Sequence, residues 1–367
     1  MENLVDWLAL YLTPGLGAAG CKTLVDFFGS PARALDAGPE QIAGLKGIRK
    51  KSHTAIAPEP ARKRAVRELE KADRAGVKII CWDDNCYPEP LRNIYNPPVL
   101  LYVKGDVECL NSPGLAVVGS RAASTYGLKI AEEFSNRLSH RGLTILSGLA
   151  LGIDGAAHKG ALAGSGRTIA VLGCGVDVVY PRFHKDIYEA IACQGALVSE
   201  YPLGIEPEGF RFPARNRIIS GLALGVLVVE AAGRSGSLIT ARLALEQGRD
   251  VFAIPGRIDS LKSKGSHRLL QEGAKLVHCL EDIIDELPPF MGKKYSDSVI
   301  GHSPDSQVID ELSTDEQKVL ACLDEYPKPV DDIILATGLS ASKVNEALLL
   351  MELKGACRRL PGNLYQK

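Results

Sequence analysis

Between Leu115 and Ile254 short apolar runs recur, and each halts at small or cationic residues. Leu115–Val118 stops at Gly119-Ser120-Arg121, Leu143–Leu146 at Ser147-Gly148, and Thr168–Leu172 at Gly173-Cys174-Gly175. Val226–Val229 ends at Glu230, ahead of Arg234-Ser235-Gly236-Ser237, and Val251–Ile254 closes on Pro255-Gly256-Arg257. Runs this short, apolar on both faces and bounded by turn residues, read as buried strands. The stretches between them switch to a helical period, as in Ile130, Phe134 and Leu138. Strand alternating with helix predicts an α/β fold with a Rossmann-like, doubly wound, mainly parallel sheet.

Ligands of such sheets bind beyond the carboxyl ends of the strands, where all five runs break. Small residues there let backbone approach an anion, helix N-termini offer free N–H groups, and arginine adds a forked permanent charge. The candidate phosphate ligands are therefore Ser120, Arg121, Ser147, Gly148, Arg215, Asn216, Arg217, Ser235, Gly236, Ser237 and Thr240, with Arg167 extending the track beside the third strand. Asp154 and His158 are expected to cap and pack a helix, and Glu230 to order nearby hydroxyls or arginines. Tyr180, Phe183, Phe210 and Phe212 offer flat surfaces for stacking bases, with core packing expected of at least half of them.

The first hundred residues carry a different pattern. Leu4, Val5, Leu8 and Leu12 have helical spacing, then Thr13-Pro14-Gly15-Leu16-Gly17 breaks the chain before a second helix to about Phe28. Gly15 to Gly20 matches G-x-G-x-x-G, but a helix precedes it where a dinucleotide site needs a strand. Helices joined by glycine turns suggest a helix-hairpin-helix-like or SAM-like module, open to DNA backbone or to protein. Arg62, Lys63, Arg64 and Arg67 alternate with Glu68, Glu70 and Asp73 and read as a solvated helix face with local ion pairs. This region and a proline-rich connector occupy residues 1–99, the Rossmann-like part 100–288, and a flexible linker 289–308. Residues 309–367 show three helical stretches, the first with Ser313 and Glu316 at capping-box spacing, then a strand-turn-strand ending, which together predict a winged helix.

Charge separates these parts. The chain as a whole is at −1, yet residues 115–280 hold 19 Lys and Arg against 14 Asp and Glu, whereas residues 309–367 hold 7 against 10. A polyanion site thus belongs in the sheet, and the terminal module is expected to bind protein in preference to duplex DNA through Lys343, Arg358 and Arg359. Nine cysteines without a C-x-x-C pair, no secretory signal and no apolar stretch near roughly 18 residues point to a cytoplasmic setting and no membrane.

The motifs Gly119-Ser-Arg121, Ser147-Gly-Leu-Ala-Leu-Gly-Ile-Asp154 with His158, Tyr180-Pro181, Ser199-Glu200, Phe212-Pro-Ala-Arg-Asn-Arg-Ile-Ile-Ser-Gly221, Ser235-Gly-Ser-Leu-Ile-Thr240 and Pro255-Gly256 resemble the DNA-processing family DprA, also called Smf. In combination they are highly specific and cover about half the chain. Because the residues assemble no acid–base set and no metal cluster, no cofactor, no metal and no catalysis are expected. The resemblance implies single-stranded DNA binding, protection of DNA taken up in natural transformation, loading of a RecA-type recombinase and a homodimer, and it does not imply catalysis. It also implies that the region around Leu270, Gln271 and Leu276 serves dimer or recombinase contact.

Two other classes remain open to the sequence. A nucleotide phosphoribohydrolase on a similar scaffold would place a Pro-Gly-Gly-x-Gly-Thr turn where this chain has Ser235 to Thr240, and Glu230 with Asp154 is the one carboxylate pair it could use. A protein adaptor with an incidental phosphate surface is the other.

Overall fold

The computed structural model describes residues 2–45, 47–48, 56–164, 166–288, 313–323, 328–354, 356–360 and 362–366. The expected linker at 289–308 lies outside the described residues. The chain divides into two units, Met1–Lys294 and Tyr295–Lys367.

The first unit is built on nine strands: β1 (Lys78–Cys81), β2 (Leu100–Gly105), β3 (Gly114–Val118), β4 (Thr144–Ser147), β5 (Thr168–Val171), β6 (Ala196–Ser199), β7 (Gly225–Val228), β8 (Asp250–Ala253) and β9 (Lys275–Leu276). They lie in the order β1-β2-β6-β5-β4-β3-β7-β8-β9. From β6 to β9 every neighbouring pair is parallel, while β2 joins β6 and β1 joins β2 antiparallel. All five runs read from sequence are strands of the parallel block. The chain winds outward from β3 to β6, then returns to the other side of β3 with β7, so the strand order reverses between β3 and β7. That reversal opens a crevice at their carboxyl ends.

Period-two alternation assigns each strand residue to a layer. On β3, Leu115 and Val117 join Phe134, Leu138, Ile145 and Phe252 under the helices Thr125–His140 and Ile153–Ala163, while Ala116 and Val118 join Val171, Ile218 and Val228 under Arg211–Leu222 and Gly236–Glu246. The same rule works at the antiparallel edge. Ile80, Leu101 and Val103 face the main core, whereas Ile79, Leu100 and Tyr102 pack with Trp7, Leu8 and Leu24 of the N-terminal helices Glu2–Tyr11 and Gly17–Phe28. The amino-terminal helices therefore share a core with the sheet. Gly15, in the turn between those helices, and Gly17, the first residue of the second, take φ of +81° and +64°, a conformation glycine adopts without strain. Arg62, in the helix Pro58–Arg74, reaches Asp6 at 2.8 Å and Asp36 at 3.2 Å, so its partners come from other helices and not from its own as expected.

The second unit holds the helices Thr314–Cys322, Val330–Thr337 and Ala341–Leu353 and a three-stranded sheet in the order β10-β12-β11 (Lys328–Pro329, Leu364–Gln366, Arg358–Leu360). The Ser313 hydroxyl accepts from the Glu316 amide at 3.3 Å and the Glu316 carboxylate accepts from the Ser313 amide at 2.6 Å, completing the capping box. This is the winged-helix arrangement the pattern predicts.

Candidate nucleic-acid interface

A cleft of about 630 Å³ opens at the reversal between β3 and β7. Its walls include Gly119-Ser120-Arg121 after β3, Arg215 and Asn216 on the helix Arg211–Leu222, and Ser235, Gly236, Ser237 and Thr240 at the start of the helix Gly236–Glu246. Eight of the twelve candidates are thus brought to one hollow.

Close backbone packing sets the shape of the floor. The Ser120 amide donates to the Glu230 carbonyl at 2.7 Å, and the Ile153 amide donates to the Ser120 carbonyl at 3.2 Å. A Cβ at Gly119 would stand 2.5 Å from the Ile153 side chain, and one at Gly152, whose φ is +78°, 2.2 Å from the Ser120 carbonyl. Only glycine permits that approach. Across the cleft, Ser235 caps the helix Gly236–Glu246 by accepting from the Ser237 amide at 3.3 Å, so the amino end of an eleven-residue helix, with its partial positive charge, faces the hollow. Asn216 donates to the Gly236 carbonyl at 3.4 Å and ties the two helices together.

Arg121 is the exposed cation of this site. Its guanidinium lies 5.4 Å from the Phe212 ring centroid, and Tyr180 stacks on that ring at 5.6 Å and 30°. No carboxylate pairs with Arg121 among the described residues. Tyr180, Phe183 and Phe210 are exposed, which overturns the expectation that at least half of the four aromatics would be core; each lies in a segment that has already left the sheet.

The other arginines do different work. Arg215 is only 4% exposed; it donates to the Val171 carbonyl and faces Asp154. Burial pulls its pKa down to about 10, against the opposing pull of Asp154, so it stays charged at neutral pH as the floor of the cleft. Burial likewise raises Asp154, with Arg215 and the Gly148 amide working in the opposite direction. Gly148 was expected to cradle phosphate, but a Cβ there would fall 2.2 Å from the Arg215 guanidinium and its amide is already bonded to Asp154 at 3.1 Å. Its glycine makes room for an arginine. Ser147 is fully buried and donates to the Val117 carbonyl at 2.7 Å, so it too is withdrawn from a phosphate.

Arg217 pairs with the buried carboxylate of Glu200 at 2.5 Å, and the Glu200 carbonyl accepts from the Tyr11 hydroxyl at 2.7 Å. Two residues along a helix turn the side chain by about 200°, so Arg215 and Arg217 cannot serve one face. Arg217 is a strut toward the N-terminal helices. Arg167 enters β5 from its amino end, pairs with Asp106 at 3.8 Å, and lines a separate hollow of about 650 Å³ with Pro90, Leu143 and Leu222. It lies at the opposite end of the strands and extends no track.

Glu230 accepts from the Ser124 amide at 2.8 Å and from the Ser124 hydroxyl, at the start of the helix Thr125–His140. It orders a hydroxyl, as expected, and its charge is spent on a helix dipole. His158 is fully buried, bonds Thr168 Oγ1 through Nδ1 at 2.7 Å, and has its pKa pushed down to about 3 by desolvation first and then by His184 and Arg215. Pattern reading missed the loop that supplies Pro207 and Gly209 to the cleft, because nothing in its composition distinguishes it from a connector. In the region proposed for self-association, Leu270 packs on the core, Gln271 is exposed, and Leu276 is 47% exposed on the edge strand β9.

The family model for DNA recombination-mediator protein A matches residues 78–288, and that for the DprA winged helix domain matches residues 303–363. This chain belongs to the DprA/Smf family. Among its relatives, the Synechocystis protein Smf is 33% identical over 98% of both chains, and the Escherichia coli protein Smf is 45% identical over 82% of this chain and 83% of its own. The crystal structure of DNA processing protein A from Streptococcus pneumoniae superposes with a TM-score of 0.69 at 40% identity, covering 78% of this chain and 99% of that one. A Helicobacter pylori family member, solved to describe its single-stranded DNA binding mode, reaches 0.52 at 32% identity over 57% of this chain and 94% of its own. Among the described residues of the DprA/Smf chain no single helix is long and apolar enough to cross a membrane.

Proposed function

We propose that this DprA/Smf protein binds single-stranded DNA along the carboxyl-edge cleft, shields it, and passes it to a RecA-type recombinase during transformation and homologous recombination. The observation that carries this reading is Arg121: an exposed guanidinium without a carboxylate partner among the described residues, opposite the amino end of the helix Gly236–Glu246. Phosphates meet a cation and the positive end of a helix dipole there, and the neighbouring aromatic rings suit unpaired bases. The Helicobacter pylori relative supports the choice of a single strand. What favours binding over the phosphoribohydrolase reading is that Asp154 accepts from the Gly148 amide and Glu230 from Ser124, so each carboxylate already has a structural partner. We read the protein as a binder without catalysis.

A homodimer using β9 fits this role, because an edge strand with an exposed leucine is open to pairing. The decisive experiment titrates the full chain with fluorescent oligo-dT and with duplex at several salt concentrations. Preference for the single strand, with log affinity falling by about 0.7 per neutralised phosphate per log unit of salt, supports the reading; equal affinity for duplex, or turnover of nucleoside monophosphates, refutes it. Recombinase transfer is checked by the lag before a RecA-type protein hydrolyses ATP on strands precoated with single-strand-binding protein, which this chain should shorten.

A further inference from the structure

We propose that Leu151 and Phe183 form an outer lip of the cleft that holds one nucleobase of the strand leaving the phosphate site, an inference that rests on the single-strand reading above. Phe183 is 91% exposed and Leu151 45% exposed. Both stand just outside the lining: Ala150 and Tyr180 line the cleft, and Leu151 and Phe183 follow them in the chain by one and three residues.

The two turns are fastened to each other. His184, next to Phe183 in the three-residue turn Arg182–His184, bonds the Leu149 carbonyl through Nδ1 at 3.0 Å. Its ring also rests on Gly155, where a Cβ would come within 2.6 Å of the imidazole. The turn that carries the phenyl ring is therefore tied to its neighbours through the adjacent imidazole, and an aromatic side chain has only two torsions to fix on binding. A phosphate gains nothing from a phenyl and an isobutyl group, whereas every base has a face to lay on them. The lip thus complements the floor of the cleft, which offers charge and amides, by supplying apolar area one step further along the strand.

The full chain carrying Phe183→Ala, alone and with Leu151→Ala, is titrated with oligo-dT and with an abasic oligonucleotide of the same length. Loss of one stacked base should weaken oligo-dT binding about tenfold, leave abasic binding and the salt slope unchanged, and be restored by Phe183→Trp, whose emission should be quenched by oligo-dT and not by the abasic strand. Affinity for oligo-dT within twofold of wild type would overturn the proposal and assign the lip to a protein partner. An equal loss on the abasic strand would also overturn it. If the wild-type chain bound neither strand, the single-strand reading itself would fail and the lip with it.

Discussion

Two hollows of nearly equal volume sit at opposite ends of the parallel strands, about 630 Å³ beyond the carboxyl ends and about 650 Å³ at the amino ends, and each contains an arginine. In the first, Arg121 has no carboxylate beside it among the described residues and faces the start of the helix Gly236–Glu246. In the second, Arg167 is paired with Asp106, and Pro90, Leu143 and Leu222 line the hollow together with Asn111, Ser139 and Thr144. Volume and the presence of arginine are the same, so neither makes a site. Chain direction does: in a parallel sheet with crossover helices, helix amino ends gather at the carboxyl edge, and an anion there meets aligned amides that the other edge does not present.

The comparison breaks first at the buried arginines. Arg217→Met strands the Glu200 carboxylate in the interior and should cost about 3–5 kcal/mol, read as a large fall in the urea midpoint. Arg215→Met should cost less, because Asp154 keeps the Gly148 amide and loses only the opposing charge that faces it. Were Arg217 a phosphate ligand, its variant would keep its stability and lose DNA affinity.

Next in size is a pH effect beneath the cleft. The His158 pKa is lowered from 6.5 to about 3, so the unfolded chain takes up a proton that the folded chain refuses, and stability is present above pH 6.5 and drains away as pH falls toward 3. Between pH 7.5 and pH 5 this amounts to about 2 kcal/mol. His158→Gln should flatten that part of the stability profile, measured by urea unfolding at both pH values; an unchanged slope would remove the assignment.

Arg121→Ala sharpens the contrast directly. Affinity for oligo-dT should fall about tenfold and the salt slope by about 0.7, with the melting temperature unmoved, since the side chain is exposed and unpaired with acid among the described residues. The smallest effect belongs to Arg167→Ala: an exposed pair at 3.8 Å contributes about 0–1 kcal/mol, and DNA affinity should stay within twofold. A tenfold loss there would erase the distinction between the two ends.

Five strands and the cleft segments after β3 and β7 were legible because apolar runs ending in small residues have one reading in an α/β chain. β1, β6 and β9 were not singled out: they run into Trp82-Asp83, Glu200-Tyr201 and Val277-His278, without the glycine-containing turn that follows each of the other five. Ser147-Gly148 looks in sequence like Gly119-Ser120, yet one hosts a guanidinium from inside the protein and the other opens on solvent.

Pattern along the chain determined that a parallel sheet exists, that its carboxyl edge is lined with small and cationic residues, and that a winged helix follows. Which arginine stays exposed and without an acidic partner among the described residues was decided only by tertiary structure. A guanidinium's role depends on its surroundings: Glu200 and Asp106 reach Arg217 and Arg167, and burial beside the charge of Asp154 encloses Arg215, only after the chain has folded, leaving Arg121 to the solvent.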